Sequence, residues 1–380
     1  MYALVDCNNF YVSCERAFNP ALECRGVVVL SNNDGCIIAR SDEAKAIGIP
    51  MGAPLYQYKK LLNLNKIRIY SSNYTLYGDM SARVMKSFFY FTPQVEIYSI
   101  DEAFLGLKGF GRDTLQSRMQ EMAAAIKQWT GIPVSVGIAP TKTLAKLANR
   151  IAKKYVSNGV YELNEVRTLI RILADTPVED IWGISKRWGA RLRSIGIYTA
   201  LQLRRSNPKL IRKSLSVVGE RIVYELNGIS CLNLEEVKNK KSIIVSRSFG
   251  KTLIDKEVIN QALTNHVVRA AEKNRYQGSF ARGLQVFLST NRFRQRDRQY
   301  SNCITIGFKS PTQDTVAMIK AAKRGLCKIY RPGYKYQKVG VILIELISGI
   351  SSQERCKIDF NQRNILPLQI KQEDLFVHQN

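Results

Sequence analysis

Apolar and polar positions along the chain follow short runs whose period switches between two and about 3.6 residues, the signatures of strand and helix. Tyr2–Asp6 is an apolar run closed by a carboxylate and predicts a short buried strand; the polar-aromatic stretch Asn8–Arg16 predicts a helix start. Gly26–Leu30 and Cys36–Ala39 predict two further strands. Ser41–Ile47 has helical spacing and is stopped by Gly48 and then Pro50. Val95–Leu107 is strand-like on both sides of Ser99-Ile100-Asp101-Glu102, which predicts two strands meeting at a tight turn. Thr114–Trp129 reads as an amphipathic helix, Val134–Ile138 as a strand, and Thr141–Lys154 as a helix rich in Ala and Leu.

That order of strand, helix, strand, strand, helix, strand resembles a ferredoxin-like layer carrying an insertion at about 20–75. From 166 to 232 the pattern is helical with glycine-marked turns. Strands return at Ile243–Phe249, Leu284–Ser289, Cys303–Phe308 and Lys338–Leu346, alternating with helices at about 256–276 and 312–328. The fold class is therefore α+β, and 380 residues are too many for one core, so a second α+β domain follows the first. There is no internal repeat or low-complexity tract.

Charge sharpens the picture. Lys and Arg number 57 against 31 Asp and Glu, a formal net charge of +26. A surplus of this size repels itself unless a polyanion offsets it, which points to nucleic acid or an acidic membrane. Residues 1–100 carry 10 basic and 8 acidic side chains, whereas 233–380 carry 26 and 12, so the C-terminal part holds the electrostatic footprint. No apolar run approaches the roughly 20 residues that span a bilayer, so membrane insertion is not expected; nucleic acid, not a membrane, is the partner expected. The first residues lack a basic n-region and meet Asp6 early, unlike a signal peptide. Eight cysteines without a C-x-x-C pair predict reduced thiols in a cytosol. Only His266 and His378 are present, and neither a P-loop nor a Rossmann glycine pattern occurs. Zinc fingers, zinc hydrolases and Ser-His-Asp triads each lack parts, so chemistry must run on carboxylates, Lys, Arg and Tyr.

Asp6 ends the first predicted strand, and Asp101 and Glu102 sit at the predicted hairpin. If the two elements share a sheet, three carboxylates converge on one edge. Hard oxygen ligands in such a set suit Mg²⁺, and two such ions can clamp an in-line phosphoryl transfer that needs no histidine. A solvated strand end and an Asp-Glu turn would carry the same residues. Phe10 and Tyr11 are equally what the boundary of a first helix would bury. Val178–Ala190 resembles a helix-hairpin-helix, whose turn at Gly183 and Ser185 would offer backbone N–H groups to a phosphate; a plain helical hairpin fits as well. In Phe287–Arg298, Arg292, Arg294, Arg296 and Arg298 alternate with other residues. If extended, they share one face and form a row suited to tracking DNA phosphates.

Three segments carry a family resemblance: Val5-Asp6-Cys7-Asn8-Asn9-Phe10-Tyr11, then Ile37-Ile38-Ala39-Arg40-Ser41-Asp42-Glu43-Ala44-Lys45, then Tyr98-Ser99-Ile100-Asp101-Glu102-Ala103. They resemble the Y-family of DNA polymerases. Asn19-Pro20 and Ser31-Asn32-Asn33-Asp34-Gly35-Cys36 are most similar to its UmuC branch, which supplies the catalytic subunit of bacterial DNA polymerase V. The likeness runs in order through Val134–Ala139, Leu144–Asn149, Trp182-Gly183-Ile184 and Ser246–Gly250, nearly the whole chain.

The resemblance implies a right-hand architecture: a ferredoxin-like palm at 1–20 and 76–165, small fingers at 21–75, and a helical thumb at 166–232. A linker at 233–241, an α+β little finger at 242–350 and a tail at 351–380 complete it. It implies that Asp6, Asp101, Glu102 and the Cys7 backbone carbonyl hold two Mg²⁺ ions, and that Tyr11 is a steric gate under the incoming sugar. Phe10, Tyr11, Lys45 and Lys153 would contact the dNTP, with Arg40 or Lys154 as further cations. Asp42 departs from the tyrosine that many relatives carry before the Glu-Ala of this helix. The four arginines fall in the part that cradles primer–template DNA. In the tail, Gln372-Glu373-Asp374-Leu375-Phe376 is similar to the peptide with which bacterial polymerases grip the sliding clamp, through Gln372, Leu375 and Phe376. The implied function is error-prone translesion synthesis in an SOS-type DNA damage response. It would run in the bacterial cytoplasm at the nucleoid, with a UmuD-type dimer and a RecA filament as partners. Two rivals are a non-catalytic DNA-binding repair scaffold, which would not need the full carboxylate triad, and a palm-fold nucleotide cyclase, which would explain neither the helical hairpin nor the arginines.

Overall fold

The first apolar run becomes the centre of a sheet. A computed structural model describes residues 1–111, 114–235, 239–294 and 296–348, which divide into two units, Met1–Val237 and Lys238–Asn380. The first unit opens with β1 (Tyr2–Cys7), α1 (Phe10–Phe18), β2 (Val27–Leu30), β3 (Ile37–Arg40), α2 (Asp42–Ala46), α3 (Leu55–Leu64) and β4 (Arg68–Tyr70). It continues with α4 (Tyr74–Phe88), β5 (Val95–Ile97), β6 (Glu102–Gly106), α5 (Leu115–Thr130), β7 (Val134–Ala139), α6 (Lys142–Tyr155) and β8 (Val160–Glu162). Four helices close it: α7 (Val166–Asp175), α8 (Lys186–Arg193), α9 (Ala200–Arg205) and α10 (Pro208–Leu226).

The main sheet has the order β5-β6-β1-β7-β8, with β1 antiparallel to both β6 and β7, and β8 added parallel to β7. The first four strands in that order are ferredoxin-like, with α4 and α5 as the two crossovers. Period two divides β1 cleanly between the faces. Ala3, Val5 and Cys7 pack in one core with residues of α4 and α5, while Leu4 packs with α6 and the helices that follow. Asn149 of α6 fixes that helix to the sheet by donating to the carbonyls of Leu4 (3.2 Å) and Ser135 (2.7 Å). The insertion is a separate small layer, order β3-β2-β4, with its own core under α2 and α3.

Buried charges hold the end of this unit. Glu225 of α10 is fully buried and accepts backbone N–H bonds from Thr143 (3.1 Å), Cys231 (2.7 Å) and Leu232 (3.2 Å). Lys142, also buried, pairs with Glu96 and donates to the Asn233 carbonyl (2.7 Å). Such charges are tolerated because every one is paired or hydrogen-bonded.

The second unit contains β9 (Ile243–Leu253), α11 (Lys256–Tyr276), β10 (Ser279–Thr290), β11 (Ser301–Thr312), α12 (Thr315–Ile329) and β12 (Tyr336–Ser348). Its antiparallel sheet, order β11-β10-β12-β9, packs on α11 and α12 around Leu263, Val267, Leu284, Val286, Leu326 and Val341. Among the described residues no helix is long and apolar enough to cross a membrane.

Gly137 sits where α6 crosses β7, and a Cβ there would overlap backbone atoms of Asn149 and Ala145. Backbone cannot yield as a side chain tip can, so Gly137→Ala is expected to cost about 3 kcal/mol. Chemical denaturation with a probe in the first unit checks this; an unchanged midpoint would contradict the close approach.

Candidate active site

Register decides the geometry at the sheet end. Asp6 is the cross-strand partner of Glu102, and the Cys7 N–H donates to the Asp101 carbonyl at 2.8 Å. Asp6 and Glu102 therefore share the face that packs on α6, whereas Asp101 precedes them at the turn. Ser99 shapes that turn: its hydroxyl donates to the Asp101 carboxylate (2.6 Å) and accepts the Glu102 N–H (3.0 Å).

Helix α6 supplies the countercharges from two positions two turns apart. Lys153 lies 2.5 Å from Asp6, and Lys146 lies 3.2 Å from both oxygens of Glu102. The two carboxylate side chains are 13% and 17% exposed, so little water screens them from each other. Burial is the largest influence on Asp6 and pushes its carboxyl up to about 7; Lys153 opposes this, and Glu102 and Asp101 add to it. The Cys7 thiol is driven well above its ordinary value by burial first and by Asp6 and Asp101 next, so it stays protonated. Positive charge is what this set demands.

A cleft of about 350 Å³ opens here, lined by Asp6, Glu102, Lys146, Arg150, Lys153 and Trp182 among others. Trp182 donates to the Tyr98 hydroxyl (3.1 Å), and the Lys146 ammonium stands over the rings of Tyr98 and Trp182 at 4.9 and 5.4 Å. Arg150 pairs with Asp180 at 2.8 Å. Lys146, Tyr98, Trp182 and Asp180 lie inside the quoted segments but were assigned no role there; the structure brings them to the site. Spacing puts Lys146 on the same helix face as Lys153, but Lys142 shares that face, so spacing alone does not single Lys146 out.

Among the described residues, no three carboxylate, thiol or imidazole groups converge as they would around a bound ion. The donor set nonetheless fits an oxygen-preferring divalent cation. Two of its three carboxylates already hold a cationic group, and the buried one resists ionising without more positive charge.

Tyr11 stacks on Tyr77, ring centroids 4.4 Å apart and planes at 17°, with Tyr74 edge-on at 6.1 Å. Tyr77 is fully buried and its hydroxyl donates to Glu15 at 2.7 Å. The Tyr11 phenol is pushed up to about 12, by burial first and then by Tyr74 and Asp101. It is a neutral, buttressed ring beside the carboxylates. Phe10 is only 4% exposed and packs in the core, which leaves its backbone rather than its ring for a ligand. Lys45 donates to Asn9 (2.5 Å) and Asp42 (2.9 Å), while Arg40 is turned to the Ile49 carbonyl.

Gly183 adopts φ +89°, a left-handed turn that favours glycine, and the Ser185 hydroxyl caps α8 by accepting the Trp188 N–H at 3.3 Å. The serine thus does at this turn what a second glycine would not. In the second unit the extended reading of the arginine row is corrected. The segment between β10 and β11 turns instead, through Arg294 N–H to Asn291 carbonyl (3.0 Å) and Asp297 N–H to Arg294 carbonyl (3.0 Å). Asp297, which also pairs with Lys335 at 2.8 Å, is the polar anchor that breaks the alternation. Arg292, Arg294, Arg296 and Arg298 are all exposed on this loop, not aligned along one strand face. Gln372, Leu375 and Phe376 lie outside the described residues.

Divalent cation should stabilise the folded chain through these carboxylates. At ten times the dissociation constant, Mg²⁺ or Mn²⁺ is expected to add about 1.4 kcal/mol to stability. Thermal unfolding with and without the cation checks this: the midpoint rises in the wild type and stays put in Asp6→Asn/Asp101→Asn. An equal rise in both proteins would place the cation elsewhere.

Comparison with known proteins gives consistent results. A sequence model of the impB/mucB/samB family matches residues 5–150, and one of the impB/mucB/samB family C-terminal domain matches residues 240–359. The chain is 46% identical over 353 residues to Protein UmuC of Salmonella typhimurium strain LT2, covering 92% of this chain and 83% of that protein. Its fold is similar to a solved Y-family DNA polymerase chimera, Dbh-Dpo4(243-245)-Dbh, with a TM-score of 0.73, 22% identity, and 91% and 99% of the two chains covered. An insertion ternary complex of Dbh DNA polymerase aligns with a TM-score of 0.59 at 21% identity, over 91% of this chain and 99% of that one.

Proposed function

The chain belongs to the impB/mucB/samB family of Y-family polymerase subunits, and from that premise we propose how its site carries out translesion DNA synthesis. The enzyme is a DNA-directed DNA polymerase, dependent on divalent metal, that acts on primer–template DNA and dNTPs. The observation that carries the site assignment is the pairing of Asp6 with Glu102 across adjacent strands, with Asp101 at the turn beside them.

Asp6, Asp101, Glu102 and the Cys7 carbonyl would hold two Mg²⁺ ions. When bound, the ions neutralise the triphosphate and stabilise both the attacking and the leaving oxygen of an in-line displacement. The primer 3′-hydroxyl attacks the α-phosphorus, a new phosphodiester bond forms, and the bond to the departing pyrophosphate breaks. Lys153, released from Asp6 once other positive charge arrives, is free to face phosphate oxygens as a point charge. Lys45 meets the triphosphate from the other side. Tyr11 presents its ring edge or face to the sugar, and its stack on Tyr77 prevents it from yielding to a 2′-hydroxyl. The turn at Gly183 and Ser185 and the exposed arginines 292, 294, 296 and 298 contact DNA phosphates. A palm at 1–20 and 76–165, fingers at 21–75, thumb at 166–232, linker at 233–241 and little finger at 242–350 divide these tasks. Tail residues Gln372, Leu375 and Phe376 engage the sliding clamp, raising the local concentration of primer ends. A UmuD-type dimer and a RecA filament complete the working assembly at DNA in the bacterial cytoplasm.

Primer extension past an abasic site, with clamp, UmuD-type dimer and activated RecA supplied, tests this. Extension is expected for the wild type and should fall at least about 10³-fold in Asp101→Ala, as for loss of a principal charge-stabilising group. No extension by the wild type, with salt-sensitive DNA binding intact, would favour the scaffold reading. In the same assay Tyr11→Ala is expected to raise ribonucleotide insertion relative to deoxyribonucleotide insertion by about 10- to 100-fold. An unchanged ratio would remove Tyr11 from the gate.

A further inference from the structure

The short helix α2 is held rigidly although it has only five residues. Ser41, fully buried, caps it by accepting the Ala44 N–H (3.3 Å) and also accepts the Val27 N–H of β2 (2.9 Å). Glu43 binds Arg16 of α1 through both carboxylate oxygens, at 3.1 and 2.9 Å. These contacts fix Asp42 and Lys45, one turn apart, against the loop that joins β1 to α1.

Asn9 lies in that loop, two residues after Cys7 and two before Tyr11. Its φ of +48° is left-handed, a conformation that asparagine accepts more readily than most residues. The side chain meets the Lys45–Asp42 pair: its carbonyl oxygen accepts from the Lys45 ammonium (2.5 Å), and Asn9 is among the groups that lower the Asp42 carboxyl. Lys45 also reaches Asp42 directly at 2.9 Å. Burial works against the Asp42 charge, yet the hydrogen bond and charge of Lys45, with Asn9 beside it, outweigh it and hold its carboxyl below the ordinary value. The aspartate therefore stays ionised at neutral pH.

The pair is nevertheless accessible. The side chains of Lys45 and Asp42 are 44% and 78% exposed, and exposed ion pairs of this kind are weak. A triphosphate brings several negative charges to the same ammonium, so it displaces the carboxylate rather than adding to it. We infer that Asp42 is an internal competitor of the incoming nucleoside triphosphate: it holds Lys45 at Asn9 in the nucleotide-free chain, yields it on binding, and so sets the dNTP affinity of the site. This rests on the polymerase reading and on Lys45 facing the triphosphate. Asp42 itself acts through Lys45 and touches no reacting atom.

Single-nucleotide insertion on undamaged primer–template, by the full chain with its clamp, UmuD-type and RecA partners, separates KM from kcat. Asp42→Asn is expected to lower the dNTP KM about three- to fivefold, the scale of one exposed ion pair, with kcat within twofold. Asp42→Glu keeps the charge and should retain the wild-type KM. In a Lys45→Ala background, which raises KM, adding Asp42→Asn should bring no gain. A KM that rises or stays constant in Asp42→Asn while Lys45→Ala raises it would overturn the competitor role and leave the Lys45 contact standing. An unchanged KM in Lys45→Ala would overturn both. Absence of insertion by the wild type would contradict the polymerase reading beneath them.

Discussion

Negative charge crowded at one end of a buried strand must be balanced, and the arrangement around Asp6 follows from that need. Asp6 and Glu102 face each other across β1 and β6 with little exposure, and Asp101 stands at the adjoining turn. Left alone, such a set would shed charge by taking up a proton, the direction in which Asp6 is already pushed. Helix α6 answers with Lys146 and Lys153, and the rings of Tyr98 and Trp182 face the Lys146 ammonium from the other side. On the proposed mechanism the same demand would make the site receptive to divalent cations that arrive with a nucleotide, and would free Lys153 for phosphate when they do.

The scaffold makes this charge cluster affordable. Period two sends Ala3, Val5 and Cys7 into one core and Leu4 into the other, so β1 is anchored on both faces just before its carboxylate. Gly137 lets α6 approach closely, and Asn149 ties it to β1 and β7, which holds the lysine-bearing face in register with the strand ends. On the far side, Tyr77 fills the core beneath Tyr11 and turns a flexible side chain into a fixed wall. Countercharge at Lys45 obeys the same rule on a smaller scale, with Asp42 in the role that phosphate takes over.

Much of this was legible in the sequence, and the failures have physical causes. The apolar run ending at Asp6 and the strand pair around Asp101-Glu102 follow from local periodicity, and the motifs around them identify the family. What local pattern cannot give is the register that sets Asp6 opposite Glu102, because it depends on contacts about 95 residues apart. Nor could it rank the lysines of α6: Lys142 is buried on Glu96, while Lys146 and Lys153 serve the site. Helix α4 was not among the predicted elements, although Tyr77, Met80, Ser81, Val84, Met85 and Phe88 recur at helical spacing, and so the buttress of Tyr11 was missed. The arginine alternation misled because alternation is necessary for a strand but not sufficient. Asp297 and Lys335, 38 residues apart in the sequence, close the loop instead.

The central claim is that positive charge at Asp6 and Glu102 is exchangeable between lysine and divalent cation. Its most direct test is a crystal structure with primer–template DNA, a non-reactive dNTP and Mn²⁺, read by anomalous scattering. The account predicts Mn²⁺ at coordination distance from Asp6, Asp101 and Glu102, with the Lys153 ammonium withdrawn from Asp6 and turned to phosphate. Mn²⁺ bound elsewhere, with Lys146 and Lys153 still on their carboxylates, would contradict it.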